Sequence, residues 1–449
     1  MAEEPIQERL ISLDVFRGLT IAGMVLVNNP GTWSSIYGPL KHAAWHGITP
    51  TDYIFPFFLF IVGVAVPIAL GRRLRDGVTR EVYYKIFRRS ALIFVLGLTL
   101  SAIPFFDFAK TDIPQTMKAI SMLALSAALF LLLIDRQKEG LILAAIIGTA
   151  VAVYYFAGYT VVPYDLAHMR IPGVLQRIAV CYLIVSLIFL KTNWKQQTII
   201  GVVLLLLYWL LMTVVPVPGC EVTTIDDKAC NLAAYIDRLI LGEAHIWRSA
   251  KVYDPEGILS TIPALVTTIS GVLTGTWLLR KPELETPDPS DSSVGRRNSS
   301  FETAAGMFFF GTLLLALGWT WSLIFPLNKS LWTSSYVLYT SGLALLTLAG
   351  CYWLIDIHGY KRWTKPFVIF GVNALALFLF SGLMARFLGA VKIGATDGKE
   401  ISLQKWIFDN VFLAIASPVN ASLMYAVSFI LLWLFLMWRL YRRRIFIKV

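Results

Sequence analysis

His42 and His46 stand four residues apart in a chain of 449 residues that contains only five histidines. Directly behind them, Thr49-Pro50-Thr51-Asp52 has the pattern of a helix start. Thr49 would be the N-cap, Pro50 the first helical residue and Asp52 the third. The positive end of that helix disfavours an imidazolium, so an imidazole there tends to stay neutral and able to accept a proton. A neutral histidine at such a place serves as a general base or as a nucleophile. The same position also suits an interfacial histidine satisfied by backbone groups. The spacing would fit a metal ion, but no third Cys, His or carboxylate follows at a convincing interval, so no metal is expected.

Other polar groups interrupt apolar surroundings. Asp14 and Arg17 are three apart and share a helix face, either as an ion pair anchoring a helix end or as part of a cytoplasmic binding site. Asn28-Asn29-Pro30 closes an apolar run, a helix-stopping sequence in which an Asn can cap the carboxyl end. RIPGVLQR places Arg170, Gln176 and Arg177 near one helix start, with Arg177 inside an apolar segment, where a charge needs a partner or a polar cavity. Asp254 and Glu256 in YDPEG cap the following helix or hold the amino or hydroxyl groups of a polar ligand. Asn328 and Trp332 lie in PLNKSLW, and Asn373 lies within another apolar run. Most of the 14 tryptophans read as interfacial anchors or packing, but Trp45 and Trp332 beside polar groups suit stacking on a sugar ring.

The elements that must position these groups are membrane helices. Hydrophobic residues make up 57% of the chain and charged residues 15%, against roughly 25% charge in a soluble domain. Mean hydropathy is +0.67. Apolar runs of about 20 residues recur, each long enough to cross about 30 Å of hydrocarbon, where backbone groups are satisfied within helices. The runs predict an all-α polytopic protein with about 12 spans (10–12): 15–30, 52–70, 88–106, 116–134, 141–159, 171–190, 198–217, 257–279, 303–325, 335–355, 366–388 and 421–440. Lys and Arg cluster in alternate loops: Arg72 to Arg89, Lys191 and Lys195, Arg280 to Arg297, Lys361 to Lys365, and the tail from Arg442. That alternation predicts both termini on the cytoplasmic side. The net charge of +11 is then a consequence of topology and points to no nucleic-acid partner.

The whole of 1–449 reads as a single transmembrane domain, with an outer loop at 218–256 and a flexible cytoplasmic linker, rich in Pro, Ser and Asp, at 281–302. Cys220 and Cys230 in the outer loop are a disulfide pair if that side is an oxidising periplasm. Cys181 and Cys351 lie in spans and read as packing residues. Leu403 to Pro418 is apolar but short, hence amphipathic or re-entrant. The opening residues carry no signal-peptide pattern, so the first span is expected to direct membrane insertion.

Six blocks together resemble the heparan-α-glucosaminide N-acetyltransferase family, bacterial relatives included: LDVFRGLTIAGMVLVN, KHAAWHGITPTDYIFPFFLFIVG, RIPGVLQR, YDPEGILSTIPA, PLNKSLWTSSYVL and the PF…G.N stretch at 366–373. The resemblance implies transfer of an acetyl group from cytosolic acetyl-CoA, across the membrane, to the amine of a terminal glucosamine. It places the active-site His at His42 and the active-site Asn at Asn28. His46 departs from the family's usual Trp-Asn-Gly, since this chain has Trp45-His46-Gly47. The chain also opens almost directly at the core, without the extension and preceding span of lysosomal members. A bacterial inner-membrane enzyme acting on glucosamine or another cell-wall or chitin-derived amino sugar is therefore expected.

In that reading His42 takes the amine proton and Asn28 donates to the developing oxyanion, or His42 carries the acetyl group as an acyl-imidazole. Trp45, Asp52, Arg177, Asp254, Glu256, Asn328 and Trp332 would line the sugar site; Asp14, Arg17, Arg72 and Asn373 would meet acetyl-CoA. The competing classes are a transporter of a polar or lipid-linked sugar and a sugar O-acetyltransferase. A homodimer is the default expectation for the assembly.

Overall fold

In the computed structural model the described residues are 10–71, 77–279, 292–394 and 400–447, with only the backbone described for 292–299. Fifteen helices are described: α1 (Ile11–Asn28), α2 (Ile54–Leu70), α3 (Arg80–Ala102), α4 (Gln115–Leu133), α5 (Gln137–Phe156), α6 (Val174–Lys191), α7 (Trp194–Val214), α8 (Leu232–Leu241), α9 (Thr261–Leu278), α10 (Ser292–Trp321), α11 (Ser334–Cys351), α12 (Lys365–Val372), α13 (Ala374–Ala390), α14 (Leu403–Ile407) and α15 (Pro418–Arg442). The only strands among the described residues are β1 (Lys392–Gly394) and β2 (Glu400–Ser402), an antiparallel pair with Ile393 opposite Ile401.

The chain is a polytopic helical membrane protein. Among the described residues, ten helices are long and apolar enough to cross a bilayer, and α12 with α13, bent by 82° at Asn373, passes as an eleventh unit. Each predicted span falls on a helix or on this bent pair. The exception in character is α3, whose first three turns carry Arg80, Glu81, Lys85, Arg88 and Arg89. Its apolar half begins only at Ser90, so it is a long helix with a basic end rather than an uninterrupted apolar span. Of the expected linker, 281–291 lie outside the described residues, and from Ser292 onward the chain is already α10. The short segment after Leu403 continues from α14 through a wide helical turn, Phe408–Phe412.

Helix pairs close on glycine. A Cβ on Gly63 of α2 would sit 2.0 Å from the Thr268 carbonyl oxygen of α9. On Gly18 of α1 it would sit 1.9 Å from the Phe367 carbonyl oxygen of α12, so both backbones touch where small residues allow it. Buried apolar side chains of α2, α6, α9 and α11, among them Leu59, Val185, Ile269 and Tyr336, form a core cluster that also takes in Trp332.

The outer loop is structured. Cys220 and Cys230 are bonded, α8 lies within the loop, and Ile171 donates its N–H to the His245 carbonyl at 2.9 Å, docking the loop on the α5–α6 connection. Cys181 and Cys351 are buried free thiols, as their span positions predict.

Candidate functional site

The segment between α1 and α2 is fixed at its end by the capping box that Thr49 and Asp52 form around Pro50. Asp52 is 1% exposed and points back into the segment it caps. Its Oδ2 accepts from the amides of Ala43 at 3.2 Å and Thr49 at 3.0 Å, with the Thr49 hydroxyl also 3.0 Å away. Its Oδ1 lies 2.6 Å from His42 Nδ1. A carboxylate only accepts, so Nδ1 carries the proton and donates it. His42 Nε2 is then left with its lone pair, on a side chain that is 48% exposed. This is a base and its orienting partner. Asp52, expected from sequence among the sugar ligands, has both carboxylate oxygens facing donors of the chain itself.

Lys329 completes the cluster from the α10–α11 loop. Its Nζ is 3.1 Å from His42 Nδ1 and 3.3 Å from Nε2, and 3.7 Å from Asp52 Oδ1. Burial pushes the Lys329 ammonium below the usual lysine range, opposed by the charges of Asp52 and Glu256. Lys329 was missed as a site residue. In sequence it is an isolated outer-loop charge, and its only signal was membership in PLNKSLW beside Asn328 and Trp332.

That loop docks on the histidine segment through Gly47 N–H to the Leu327 carbonyl at 2.8 Å. Asn328 is fully buried; its Oδ1 accepts from Leu331 N–H at 2.9 Å and its Nδ2 faces His46 Nδ1 at 3.3 Å. His46 Nε2 in turn meets Asp226 Oδ1 at 2.8 Å. With Nδ1 accepting from Asn328, the His46 proton sits on Nε2, and both nitrogens are engaged. Asn328 and His46 thus pin two loops together. Trp332 is 1% exposed, takes φ +53°, and packs against Phe55, Tyr336 and the Arg177 guanidinium. Its ring is buried in the core beneath this segment, and Asn328 is likewise fully buried.

Arg177 is 3% exposed. Its Nη2 donates to the Gly257 carbonyl at 3.0 Å and to Ser260 Oγ, while among the described residues Nε and Nη1 meet no acceptor. Trp332 lies under its charge at 5.1 Å. Asp254 and Glu256 hold a different arginine. Arg170 Nε and Nη2 fork onto Asp254 at 2.8 and 2.6 Å, and Nη2 also reaches Glu256. Burial opposes the Arg170 charge, but both carboxylates outweigh it and hold the guanidinium above its usual range. Behind them Asp237, also buried, accepts from Ile258 N–H at 2.8 Å, and burial pushes its carboxyl up to about 6. Arg170 stands in the RIPGVLQR block, but nothing in sequence ties it to residues more than eighty positions away.

Trp45 links the two halves. Its indole N–H donates to the Ile225 carbonyl at 2.9 Å in the disulfide loop, its ring meets Tyr253 edge-on at 5.1 Å, and Lys228 lies 5.5 Å over it. His42, Trp45, Asp52, Arg177, Asp254, Glu256, Asn328 and Trp332 therefore belong to one connected assembly. Asn28 ends α1 with an exposed side chain, whereas Asn29 turns back to the Val25 carbonyl.

The remaining residues lie at the opposite end of α1. Arg17 Nη1 donates to Asp14 Oδ1 at 3.3 Å and approaches the Gly371 carbonyl at 3.5 Å. Asn373 is 1% exposed and ties down the tail, donating to the Ile445 carbonyl at 3.0 Å and accepting from Ile447 N–H at 2.9 Å. Arg72 lies outside the described residues. Among the described residues no cluster of His, Cys, Asp and Glu has the geometry of a metal site.

Comparison with known proteins bears on this arrangement. Residues 9–172, which hold Asn28, His42, Asp52 and Arg170, match the sequence profile of the family described as heparan-alpha-glucosaminide N-acetyltransferase, catalytic. Human heparan-alpha-glucosaminide N-acetyltransferase is 27% identical over 418 residues, 83% of this chain and 52% of its own length. The mouse protein of the same name is 25% identical over 416 residues, 83% of this chain and 53% of its own. The chain spans about half the length of the curated relatives it matches. From its first helix to the end of the α5–α6 connection by family profile, and over most of its length by pairwise identity, this chain is similar to the heparan-alpha-glucosaminide N-acetyltransferases whose motifs it resembles.

Proposed function

We propose that the protein transfers the acetyl group of acetyl-CoA to the amine of glucosamine or a related terminal amino sugar. The observation that carries the proposal is the His42–Asp52 pair, in which a buried carboxylate holds Nδ1–H and leaves Nε2 as a base on a half-exposed side chain. It lies inside the stretch that matches the catalytic-domain profile.

An amine attacks a thioester only when its lone pair is free, and His42 Nε2 removes the proton as the bond forms. Asn28 supplies a neutral amide donor for the carbonyl oxygen. The adenosine and phosphates of acetyl-CoA belong at the other end of α1, where Arg17 stands and where the Lys and Arg distribution puts Arg88 on the same side. Arg17 and Asn28 are separated by about 16 Å of helix at 1.5 Å per residue. A pantetheine arm running beside α1 would carry the thioester from the Arg17 end toward the Asn28 end. On the sugar side, Trp45 and the Arg170–Asp254–Glu256 cluster offer an aromatic face and charged acceptors. We assign direct transfer, since the pair provides a base and no group that shields an acyl-imidazole from water. N-in and C-in topology in a bacterial inner membrane, supported by the Lys and Arg distribution, puts the donor in the cytoplasm and the sugar outside.

The test uses protein purified in detergent, acetyl-CoA labelled in its acetyl group, and glucosamine. Labelled N-acetylglucosamine from wild type and His46→Ala, but not from His42→Ala, is the expected result. Silence of the wild type across a panel of amino sugars would shift the assignment to sugar transport, with the histidines structural.

A further inference from the structure

Lys329 has no assigned part in the reaction above, yet its geometry is that of a participant. Nearly equal distances to both ring nitrogens, 3.1 and 3.3 Å, place Nζ over a face of the His42 imidazole. In the ring plane the same distances would drive it into Cε1. The in-plane lone pair of Nε2 is therefore unobstructed. At 3.7 Å from Asp52 Oδ1, the ammonium is near its counter-charge without a close hydrogen bond to it. The near oxygen of that carboxylate is committed to His42 at 2.6 Å, and the far one to the amides of Ala43 and Thr49. The ammonium has three N–H groups and a side chain only 22% exposed, so it retains donors and little water to quench its field.

We infer that Lys329 is a catalytic residue, whose ammonium takes the negative charge that develops on the thioester oxygen during acetyl transfer. This rests on the N-acetyltransferase reading. An amine nitrogen giving its proton to Nε2 lies about 3 Å from it, and the carbonyl carbon is one bond beyond. The carbonyl oxygen then falls beside a cation that is itself 3.3 Å from Nε2. The amine lone pair forms the C–N bond, the carbonyl π pair moves onto oxygen facing Lys329, and His42 Nε2 takes the amine proton. As the pair returns from oxygen the C–S bond breaks, sulfur leaves with its electrons and receives the proton from His42. Lys329 keeps all its protons throughout. A charged donor preorganised toward the oxyanion acts only in the transition state, so its removal lowers kcat rather than raising KM.

The experiment compares wild type, Lys329→Met, Lys329→Arg and Lys329→Cys, the last before and after alkylation with 2-bromoethylamine. Alkylation restores an ammonium on a chain of nearly lysine length. The native cysteines are buried or bonded, leaving the introduced thiol as the reactive one. The expected result is a loss of about 100- to 1,000-fold in kcat for the Met and Cys variants, with KM for both substrates within a few-fold of wild type. Alkylation recovers most of the Cys variant's rate in the same preparation. Wild-type kcat in Lys329→Met, or a rise in KM with kcat unchanged, or no recovery on alkylation of a folded Cys variant, overturns the inference and leaves the proposed activity standing. An inactive wild type overturns both.

Discussion

Replacing Asp52 by Asn removes one charge, keeps the side-chain shape, and has a computable consequence. Oδ2 of Asp52 faces two backbone N–H groups, those of Ala43 and Thr49, while Oδ1 faces His42 Nδ1. An asparagine has one acceptor and one donor end, and the two amides claim the acceptor. The NH2 is then turned toward His42 and donates to Nδ1, which moves the imidazole proton to Nε2 and blocks the base. Rotating the asparagine to restore the productive tautomer points the NH2 at two N–H donors. Each of those groups, left unsatisfied beside a buried residue, costs about 1–2 kcal/mol. The total of about 2–4 kcal/mol corresponds to a 30- to 700-fold deficit of the competent form, at 1.4 kcal/mol per tenfold. Asp52→Asn is therefore expected to lower kcat/KM for acetyl transfer by about two orders of magnitude, with acetyl-CoA binding unaltered. Nitrogen NMR of labelled histidine reads the tautomer directly: His42 changes from Nδ1–H to Nε2–H. Activity within threefold of wild type, or an unchanged tautomer, would refute the orienting role.

Three further expectations follow from packing and charge. Gly18→Ala places a methyl group 1.9 Å from the Phe367 carbonyl oxygen, a backbone atom that cannot swing aside, so α1 and α12 must separate; thermal melting in detergent is expected to fall sharply, whereas Gly38→Ala, with nothing within 4 Å, leaves it unchanged. Cys220→Ser with Cys230→Ser opens a loop with sequence separation 10 and removes about 2–3 kcal/mol of chain-entropy stabilisation, read as faster proteolysis of the outer loop. Asp237, buried at 1% exposure, has its carboxyl raised from 3.8 to about 6, chiefly by burial. The folded state holds that proton more tightly, so the group's contribution is full below about 4 and is lost as pH rises through about 6. Asp237→Asn is expected to remove this part of the pH dependence of melting between those values.

Sequence legibility followed the range of the interactions. The spans were readable because lipid imposes a local, additive demand on every stretch of about 20 residues, and α3 escaped only in character because its first turns mix that demand with a basic loop. The capping box at Thr49 and Asp52 was readable because its partners are three residues apart. What it does was not: a carboxylate that caps a helix and one that orients a histidine ten residues earlier look alike until the turn between them is folded. Lys329 and Arg170 were invisible as site residues for the same reason, since their partners are 277 and 84 positions away. Trp332 shows the converse case. Its neighbours in sequence are polar, but its left-handed backbone conformation at φ +53° turns the ring inward against Arg177.

The two ends of α1 also explain why a single short helix sits at the centre of the proposed reaction. Gly18 and Gly371 bring α1 and α12 into backbone contact, with a Cβ on Gly371 falling 2.1 Å from the Asp14 carbonyl oxygen. That contact fixes α1 at the end where Asp14 and Arg17 stand. Two residues beyond Gly371 the chain breaks by 82° at Asn373, whose side chain is spent on the tail at Ile445 and Ile447. Asn373 is thus better placed to hold the tail against the break than to contact acetyl-CoA directly. If the donor's polyanionic end lies there, Arg442, Arg443 and Arg444, at the end of α15 just before the tethered Ile445, stand at the same end of the helix bundle. Loss of the Asn373 tether should then raise KM for acetyl-CoA while leaving the His42 chemistry, beyond the far end of α1, untouched. Asn373→Ala tests this by its ratio of effects: a fall in kcat at saturating acetyl-CoA, with KM unchanged, would mean that the two ends of α1 are not separable in this way.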